Sequence, residues 1–454
     1  MREARGDAPG RTLTRRGREV MRSWDGVLML TRVEALRFRS LRYLTTPLSR
    51  FQVLVGANGS GKSSFLDVVG FLGDLIRVGP GRSVTGDVVA GVAPRAADPS
   101  HLCWMRDGWR FELAVELRIP DELVSRQKEG PYRFARYEVS FDTGGDDGEV
   151  GLAGETLWLM KDERAEATDP VLFPLPEEPP DSIIRGPRKQ SPAGWRKVVN
   201  KTLESGNDCF FSETSGWNAP FRLGPAKSAL ANLPEDEERF PVATWVRRVL
   251  SDGLQRVVLS AEAMRRPSSA GSPRRYQPDG SNLPWAVEVL RTSGNGRFRR
   301  WVDHVRSALP ELRDVTTELR EEDRSRYLVL EYENGLRAPA WVVSDGTLRL
   351  LALTLIPYLA EPDRLYLIEE PENGIHPRAI EVVYQALSSV YGGQVFCASH
   401  SPVVLGMAKR EEVLCFAKGE AGATAVVRGS EHPQLRDWKG SLDLGTLFAA
   451  GVLG

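Results

Sequence analysis

The sequence predicts an α/β fold in which a split, mostly parallel sheet with helices carries a large α+β insertion. Early in the chain, the apolar run at residues 51–55 stops at Gly56, and apolar residues then recur at helical spacing from Lys62 to Ile76. Strands and helices alternate again in the last third, at 347–360 (helix), 365–368 (strand), 377–391 (helix) and 394–398 (strand). Such alternation is typical of a parallel sheet covered on both faces.

The segment between these two parts has a different pattern, and we predict that residues 79–278 form an insertion between head parts at 29–78 and 279–454. After residue 79 we predict antiparallel strands between 109 and 141 and a proline-rich and charge-rich loop at 161–192. Helices are predicted at 244–255, 284–292 and 297–309.

The first 28 residues are set apart from the fold. Met1 to Arg22 contains seven arginines among glycine, proline and threonine, and no apolar stretch that resembles a signal peptide. We predict either a disordered arm or a start codon placed too far upstream, since Met21 and Met29 follow.

Composition excludes several classes of protein. The 454 residues are 41% hydrophobic and 27% charged with a net charge of -1, so no overall basic field draws the chain to nucleic acid or membrane. Four cysteines without a CxxC pair argue against a disulfide framework and a zinc cage. The longest apolar run, Leu350 to Ala360, is too short to span a bilayer. We therefore expect a cytoplasmic protein without membrane contact.

A phosphate-binding loop stands between the first apolar run and the helix that follows it. Residues 56–63 (GANGSGKS) satisfy the pattern GxxxxGK[ST] in its proper strand–loop–helix context. We expect backbone N–H groups and the helix N-terminus to hold phosphates, Lys62 to reach the β- and γ-phosphates, and Ser63 to coordinate Mg²⁺. The nucleotide-binding residues predicted here are Gly56, Asn58, Gly59, Ser60, Gly61, Lys62, Ser63 and Ser64.

Two adjacent carboxylates end the buried strand at 365–368. Glu369 and Glu370 are costly at that place unless a cation or hydrogen bonds meet them. We predict that Glu369 binds the metal and that Glu370 orients and deprotonates the attacking water. An isolated pair would more simply be a solvated turn, but the phosphate-binding loop favours the catalytic interpretation.

Two further motifs complete the series. His400 follows the strand at 394–398, where parallel sheets collect active-site residues, and is a candidate γ-phosphate contact. Ser344, Asp345 and Gly346 open the helix that precedes Glu369, where serine or aspartate would also serve as an ordinary helix cap.

The order of these four motifs resembles the ABC-class ATPase heads of the RecF, SMC and OLD-like families, which are often grouped with the AAA ATPases. The segments EEPENGIHP (369–377), ASHSP (398–402) and DGSNLP (279–284) look like those of OLD-type and related phage-defence ATPases. The resemblance covers about 30–78 and 279–428, whereas residues 79–278 match no family by inspection.

The resemblance implies an ABC-type P-loop NTPase head that uses ATP and Mg²⁺. Such heads form homodimers through ATP, with Ser344 and Gly346 of one copy capping the γ-phosphate held by Lys62 of the other. Glu369 replaces the usual aspartate, and Asp345 replaces a glycine, so the Asp345 carboxylate would lie near phosphate unless it turns away to cap its helix. The Q-loop glutamine of the family cannot be placed, since Gln127 and Gln190 lie in the unmatched segment.

OLD-type nucleases continue past the histidine into a Toprim domain, for which this sequence has too few residues. We therefore predict an ATPase without nuclease activity of its own, acting as a dimeric switch in anti-phage defence or DNA surveillance. A separate, nuclease-like effector encoded nearby is its expected partner. A RecF- or SMC-like repair ATPase that binds DNA directly is the alternative. DNA contacts would use the arginine clusters at 265–266, 274–275 and 297–300, although exposed arginines are usually just solvated.

Three other interpretations have less support. A transporter subunit would share the site but carries a short insert, and an ATP-binding scaffold would lack turnover. Asp146 and Asp147 could be mistaken for a metal pair, but a solvated turn explains them better. The apolar residues at 442–454 are expected to pack on the head or to form a docking tail.

Overall fold

The computed structural model describes residues 29–128, 130–145, 149–163, 173–174, 178–186, 191–202, 208–359, 361, 363–419, 422–436 and 444–449. The expectations for residues 1–28, for Asp146 and Asp147, and for half of the loop at 161–192 lie outside these ranges. Within them, no helix is long and apolar enough to span a bilayer.

Seventeen strands are present in the described residues. They are β1 (Leu30–Phe38), β2 (Leu41–Pro47), β3 (Phe51–Gly56), β4 (Arg110–Arg118), β5 (Phe134–Asp142), β6 (Gly151–Met160), β7 (Trp195–Thr202), β8 (Cys209–Phe211), β9 (Asn218–Pro220), β10 (Leu254–Val257), β11 (Leu312–Leu319), β12 (Arg326–Tyr332), β13 (Arg337–Pro339), β14 (Arg364–Glu369), β15 (Gly393–Ala398), β16 (Val413–Lys418) and β17 (Thr424–Arg428).

Twelve α-helices accompany them in the same ranges. They are α1 (Lys62–Val78), α2 (Pro80–Thr85), α3 (Asp121–Val124), α4 (Pro241–Arg248), α5 (Ala261–Arg265), α6 (Leu283–Thr292), α7 (Arg297–Arg306), α8 (Asp345–Leu355), α9 (Pro377–Ser388), α10 (Pro402–Met407), α11 (Pro433–Arg436) and α12 (Leu444–Ala449).

A six-stranded sheet organises the molecule, in the order β10-β14-β15-β3-β16-β17. All of its pairs are parallel except β16 with β17. Alternate residues of β3 point to opposite faces: Leu54 packs with α1, and Val53 and Val55 pack with the helices of the other face. Because β3 is buried on both sides, it reads as the continuous apolar run that the sequence shows.

An antiparallel sheet of eight strands lies over the outer side of α1, in the order β2-β1-β4-β5-β6-β7-β8-β9. The side-chain amide of Gln394 connects the two sheets, because it accepts a hydrogen bond from Leu30 N–H and donates one to Leu30 C=O at 2.9 and 2.8 Å. The segment 79–278 supplies β4–β9 to this sheet and β10 to the parallel sheet.

The structure corrects one element next to the site. The helix predicted at 244–255 ends early: α4 stops at Arg248, a π-helical turn covers Val249–Gly253, and residues 254–257 form β10. Gln255 and Val257 of this short strand are buried and Arg256 is exposed, and over four residues such a pattern does not distinguish a strand from the end of a helix. At the C-terminal end, α12 packs against α10, with Leu444 buried.

Candidate nucleotide-binding site

The loop between β3 and α1 has the geometry of a phosphate cradle. Gly56 and Gly61 take φ values of 147° and 113°, which disfavour any residue with a side chain. A Cβ at Gly61 would also overlap the Thr424 hydroxyl, and one at Gly56 would overlap the carbonyl oxygen of Phe416. Neighbouring strands therefore enclose the loop tightly, and its N–H groups lead into the N-terminus of α1.

Lys62 begins α1 and is turned back on its own loop. Its Nζ donates hydrogen bonds to the carbonyl oxygens of Gly56 and Ala57 at 2.8 and 2.9 Å, and the residue is 6% exposed. Burial lowers the pKa of this amine, while the carboxylates of Glu370 and Glu369 oppose the effect. The amine thus lies between the loop and the two glutamates.

Ser63 and Glu369 meet across the site. The hydroxyl of Ser63 donates to Oε2 of Glu369 at 2.6 Å, and Oε1 of Glu369 accepts from Arg256 at 2.6 Å. A hydroxyl and a carboxylate are the oxygen ligands that Mg²⁺ prefers, so this pair fits the metal. Among the described residues no group of three or more His, Cys, Asp or Glu could hold a metal alone, and Mg²⁺ shared with substrate phosphates needs none.

Glu370 is held by its backbone at the tip of β14. Its φ is 48°, in the left-handed region that residues with a Cβ rarely adopt, and its N–H donates to the carbonyl oxygen of Ala398 at 2.8 Å. Strain of this kind persists only where neighbours impose it, and here β15 does so. The turn thus places Glu370 next to the loop that carries His400.

The loop that carries His400 is fixed by a residue that the sequence analysis did not single out. Oε1 of Glu372 accepts hydrogen bonds from the Ser399 hydroxyl at 2.8 Å and from the His400 N–H at 2.9 Å. Glu372 lies within the quoted segment 369–377, so a third carboxylate beyond the strand end was the available signal. It joins the turn after β14 to the loop after β15.

These groups surround one cavity of about 470 Å³. Its lining is formed by Ser40, Asn58, Gly59, Gly61, Lys62, Ser63, Ser64, Glu369, Glu370, Ala398 and His400. Of the remaining predicted loop residues, Gly56 accepts from Lys62, and the carbonyl oxygen of Ser60 accepts from the Thr424 hydroxyl at 2.9 Å. Ser40 and Thr424 carry no motif, and only the folded chain brings them to the loop.

The signature-like residues lie elsewhere. Ser344 caps α8, since its Oγ accepts from the Thr347 N–H at 3.3 Å. The Asp345 carboxylate turns away from the cavity, but it forms an ion pair with Arg265 rather than capping the helix. A Cβ at Gly346 would overlap the carbonyl oxygen of Gly374, so the helix start packs on the turn that follows Glu370. Ser344, Asp345 and Gly346 all lie outside the lining of the cavity.

The structure gives the positions of two glutamines from the segment 79–278, Gln127 and Gln255. Gln127 bonds to the backbone of Tyr132, and Gln190 lies outside the described residues. Gln255 on β10 donates to the carbonyl oxygen of Tyr276 at 2.9 Å. Among the residues that the structure describes, no glutamine lines the cavity.

The predicted basic clusters are largely engaged within the chain. Arg265 pairs with Asp345, and Arg266 pairs with Glu262. Arg274 stacks on a tryptophan, with its guanidinium carbon 3.4 Å from the ring centroid of Trp285, and Arg299 pairs with Asp314 at 3.3 Å. Phosphate contacts by these arginines would compete with these interactions.

Comparison with known proteins identifies a family. The family described as "AAA domain, putative AbiEii toxin, Type IV TA system" matches residues 173–406, which is more than half of the chain. The match begins inside the segment 79–278, so it extends the likeness to known proteins into residues 173–278, where inspection of the sequence found none. The P-loop lies before the matched range. No curated protein matches the sequence.

The first of three similar solved structures supports the fold. The chain is similar to an SMC head crystallised with the C-winged helix domain of ScpA, at 14% identity and a TM-score of 0.50, over 88% of this chain and 98% of that one. The second structure is an SMC head domain with an extended coiled coil, bound to the C-terminal domain of ScpA derived from Pyrococcus furiosus. It matches at 13% identity and a TM-score of 0.46, over 88% of this chain and 96% of that one. The SMC head domain from Thermotoga maritima matches at 12% identity and a TM-score of 0.39, over 88% of this chain and 99% of that one. The predicted ABC-type P-loop NTPase head is confirmed.

Proposed function

This chain belongs to the AAA-domain family matched above, and we propose that it binds and hydrolyses ATP as a nucleotide-gated dimeric switch in prokaryotic anti-phage defence or DNA surveillance. One observation carries the proposal. Lys62, Ser63, Glu369, Glu370 and His400 come from distant parts of the sequence and line a single cavity. Such convergence of a phosphate-binding loop, paired carboxylates and an imidazole is what ATP hydrolysis requires.

The proposed chemistry follows from these positions. The loop N–H groups and Lys62 bind the phosphates, and Lys62 exchanges its two carbonyl partners for phosphate oxygens. Ser63 and Glu369 would hold Mg²⁺, which supplies charge neutralisation for the leaving phosphate. Glu370 orients a water and accepts its proton as the new P–O bond forms and the bond to the bridging oxygen breaks. His400 contacts the γ-phosphate.

A second copy would complete the site. The free N–H groups at the start of α8 suit a γ-phosphate, yet Ser344 lies outside the cavity of its own chain. Two copies placed head to tail would bring Ser344 of each to the nucleotide of the other. ATP would then hold the dimer together and hydrolysis would release it.

The defence role has weaker support than the ATPase. The family description names a toxin–antitoxin system, which favours defence over repair. We propose a separate, nuclease-like effector, controlled by the dimer. Direct DNA binding is the alternative, and phosphates would then displace the carboxylate partners of Arg265, Arg266 and Arg299.

The central experiment compares the parent with Glu370→Gln. Loss of the catalytic base should lower kcat by about two orders of magnitude or more, while ATP binding and ATP-dependent dimerisation persist in light scattering after gel filtration. Glu321→Gln, at an exposed turn, is the matched control. Equal turnover by parent and Glu370→Gln would refute the assignment.

Mixed dimers test the shared site. Lys62→Ala and Ser344→Arg should each be inactive alone, whereas a mixture should regain activity, because one of the two sites in a mixed dimer is intact. If the mixture stays inactive although mixed dimers form, Ser344 does not act in trans.

The biological role needs a separate measurement. The gene with its neighbours should protect bacteria from phage, and Lys62→Ala should abolish protection at unchanged protein level. Protection that survives this substitution would show that nucleotide is not the switch.

A further inference from the structure

Arg256 stands next to the catalytic carboxylates although no motif marks it. Its strand, β10, pairs in parallel with β14, with Arg256 opposite Leu367 and Val257 opposite Ile368. The two strands therefore end side by side, at the edge where Glu369 and Glu370 emerge. The guanidinium of Arg256 reaches Glu369 at 2.6 Å.

Both carboxylate oxygens of Glu369 are engaged by the chain itself. Oε2 accepts from Ser63 and Oε1 from Arg256, each at 2.6 Å. The Ser63 contact leaves the hydroxyl lone pairs available to a metal, whereas the Arg256 contact places a positive charge on the other oxygen. A divalent cation that approaches Glu369 would meet that charge.

The surroundings support an electrostatic role. A second cavity of about 320 Å³ lies on the other side of the two glutamates, and Arg256, Arg349 and Asn373 are among its lining residues. Lys62 is occupied by loop carbonyls, so in the described part of the chain Arg256 is the cation in direct contact with Glu369. It balances charge that would otherwise repel between the adjacent carboxylates.

We propose that Arg256 is a positioning residue that occupies Oε1 of Glu369 until the divalent cation arrives, and so sets the metal concentration at which the site fills. The proposal rests on the proposed function, in which Glu369 is a metal-binding residue. The glutamate in place of the family's usual aspartate fits it, since the additional methylene extends the reach of this carboxylate toward both Ser63 and Arg256.

A purely structural role explains the contact less well. The side chains of Arg256 and Glu369 are 52% and 34% exposed, and an ion pair that accessible adds little stability. Four residue pairs of backbone register already join β10 to β14. The main effect of the ion pair is therefore the positive charge that it places at Oε1 of Glu369, where a metal ion would approach.

The test measures metal binding directly on the full-length protein saturated with ADP, because the metal is shared with substrate phosphates. Mn²⁺, a paramagnetic substitute for Mg²⁺, is titrated and the free ion is followed by electron paramagnetic resonance. We expect Arg256→Gln to bind Mn²⁺ roughly three- to tenfold more tightly than the parent. Arg256→Lys keeps the charge and should resemble the parent, and in a Glu369→Gln background the Arg256→Gln effect should vanish.

The matched control is Arg299→Gln, which removes another partly exposed, ion-paired arginine away from both cavities. Should Arg256→Gln fail to fold by circular dichroism, Arg256→Met is a second neutral variant of similar length. Unchanged or weaker Mn²⁺ binding in the neutral variants, or an equal shift in Arg299→Gln, would overturn the proposal.

The proposed function is tested apart from this, by binding of ATP to the parent in excess EDTA. A parent that does not bind ATP refutes the ATPase proposal whatever Mn²⁺ does. A parent that binds ATP but shows no Mn²⁺ difference from Arg256→Gln refutes only the role of Arg256.

Discussion

A buried carboxylate outside the lining of the nucleotide-binding cavity makes the stability of this protein depend on pH. Glu213 is fully buried and accepts hydrogen bonds from the N–H groups of Val242 and Ala243, each at 2.8 Å, at the start of α4. Burial raises its pKa from 4.5 to about 7, although these N–H groups oppose the shift. The helix that it anchors leads through the π-helical turn into β10.

The sign of the effect follows from linkage. Because the folded-state pKa of Glu213 exceeds the unfolded value, the folded chain holds this proton more tightly than the unfolded chain. The stabilisation is complete below pH 4.5 and is lost as the pH rises to about 7. That interval corresponds to roughly 3 kcal/mol of unfolding free energy.

Urea unfolding measures this change in unfolding free energy. The parent and Glu213→Gln are compared by tryptophan fluorescence between about pH 5 and pH 8. The glutamine cannot ionise, so the variant should gain on the parent by roughly 3 kcal/mol as the pH rises. Any constant offset from altered hydrogen bonding cancels in the comparison. Glu235→Gln, on the exposed surface, should run parallel to the parent. Parallel curves for parent and Glu213→Gln would refute the reasoning.

Three further substitutions test residues that hold the elements of the site in place. Gly346→Ala should lower ATPase activity at least tenfold in a coupled assay, because the new Cβ overlaps Gly374 and displaces the start of α8. Glu372→Ala should lower kcat about tenfold with little change in ATP affinity, since it frees the loop of His400. Thr424→Val should weaken ATP binding several-fold in calorimetry, because it removes a hydrogen bond that braces the phosphate-binding loop.

Matched variants separate these effects from general damage. Gly216→Ala has open space around its Cβ and should be neutral. Glu372→Gln keeps one acceptor oxygen and should be milder than alanine. Activity close to the parent in Gly346→Ala, a changed ATP affinity with normal kcat in Glu372→Ala, or unaltered ATP binding in Thr424→Val would contradict the respective argument.

Local patterns predicted the parts of the site that depend on local chemistry. The phosphate-binding loop needs glycines and lysine at fixed spacing between a strand and a helix, so Lys62 and Ser63 could be assigned without a structure. The carboxylates at the end of β14 and the histidine after β15 followed from strand ends in a parallel sheet. Their assembly around one cavity required only that the sheet form.

The remaining features depend on contacts between distant residues. The strand that carries Arg256 was missed, since the helix predicted at 244–255 covers its first two residues and a strand of four residues is too short to show a distinct pattern. The pairing of Asp345 with Arg265 joins residues from separate elements, and no sequence period reports it. Thr424 touches the loop only because β17 pairs with β16, which lies beside β3.

The position of β3 has a consequence for biosynthesis. This strand leaves the ribosome well before its neighbours on both sides, β15 and β16, which are translated more than three hundred residues later. Until then the nascent chain carries an apolar strand with two bare edges, the kind of segment that aggregates or recruits chaperones. Nucleotide affinity should therefore appear abruptly, at the chain length at which β17 clears the exit tunnel.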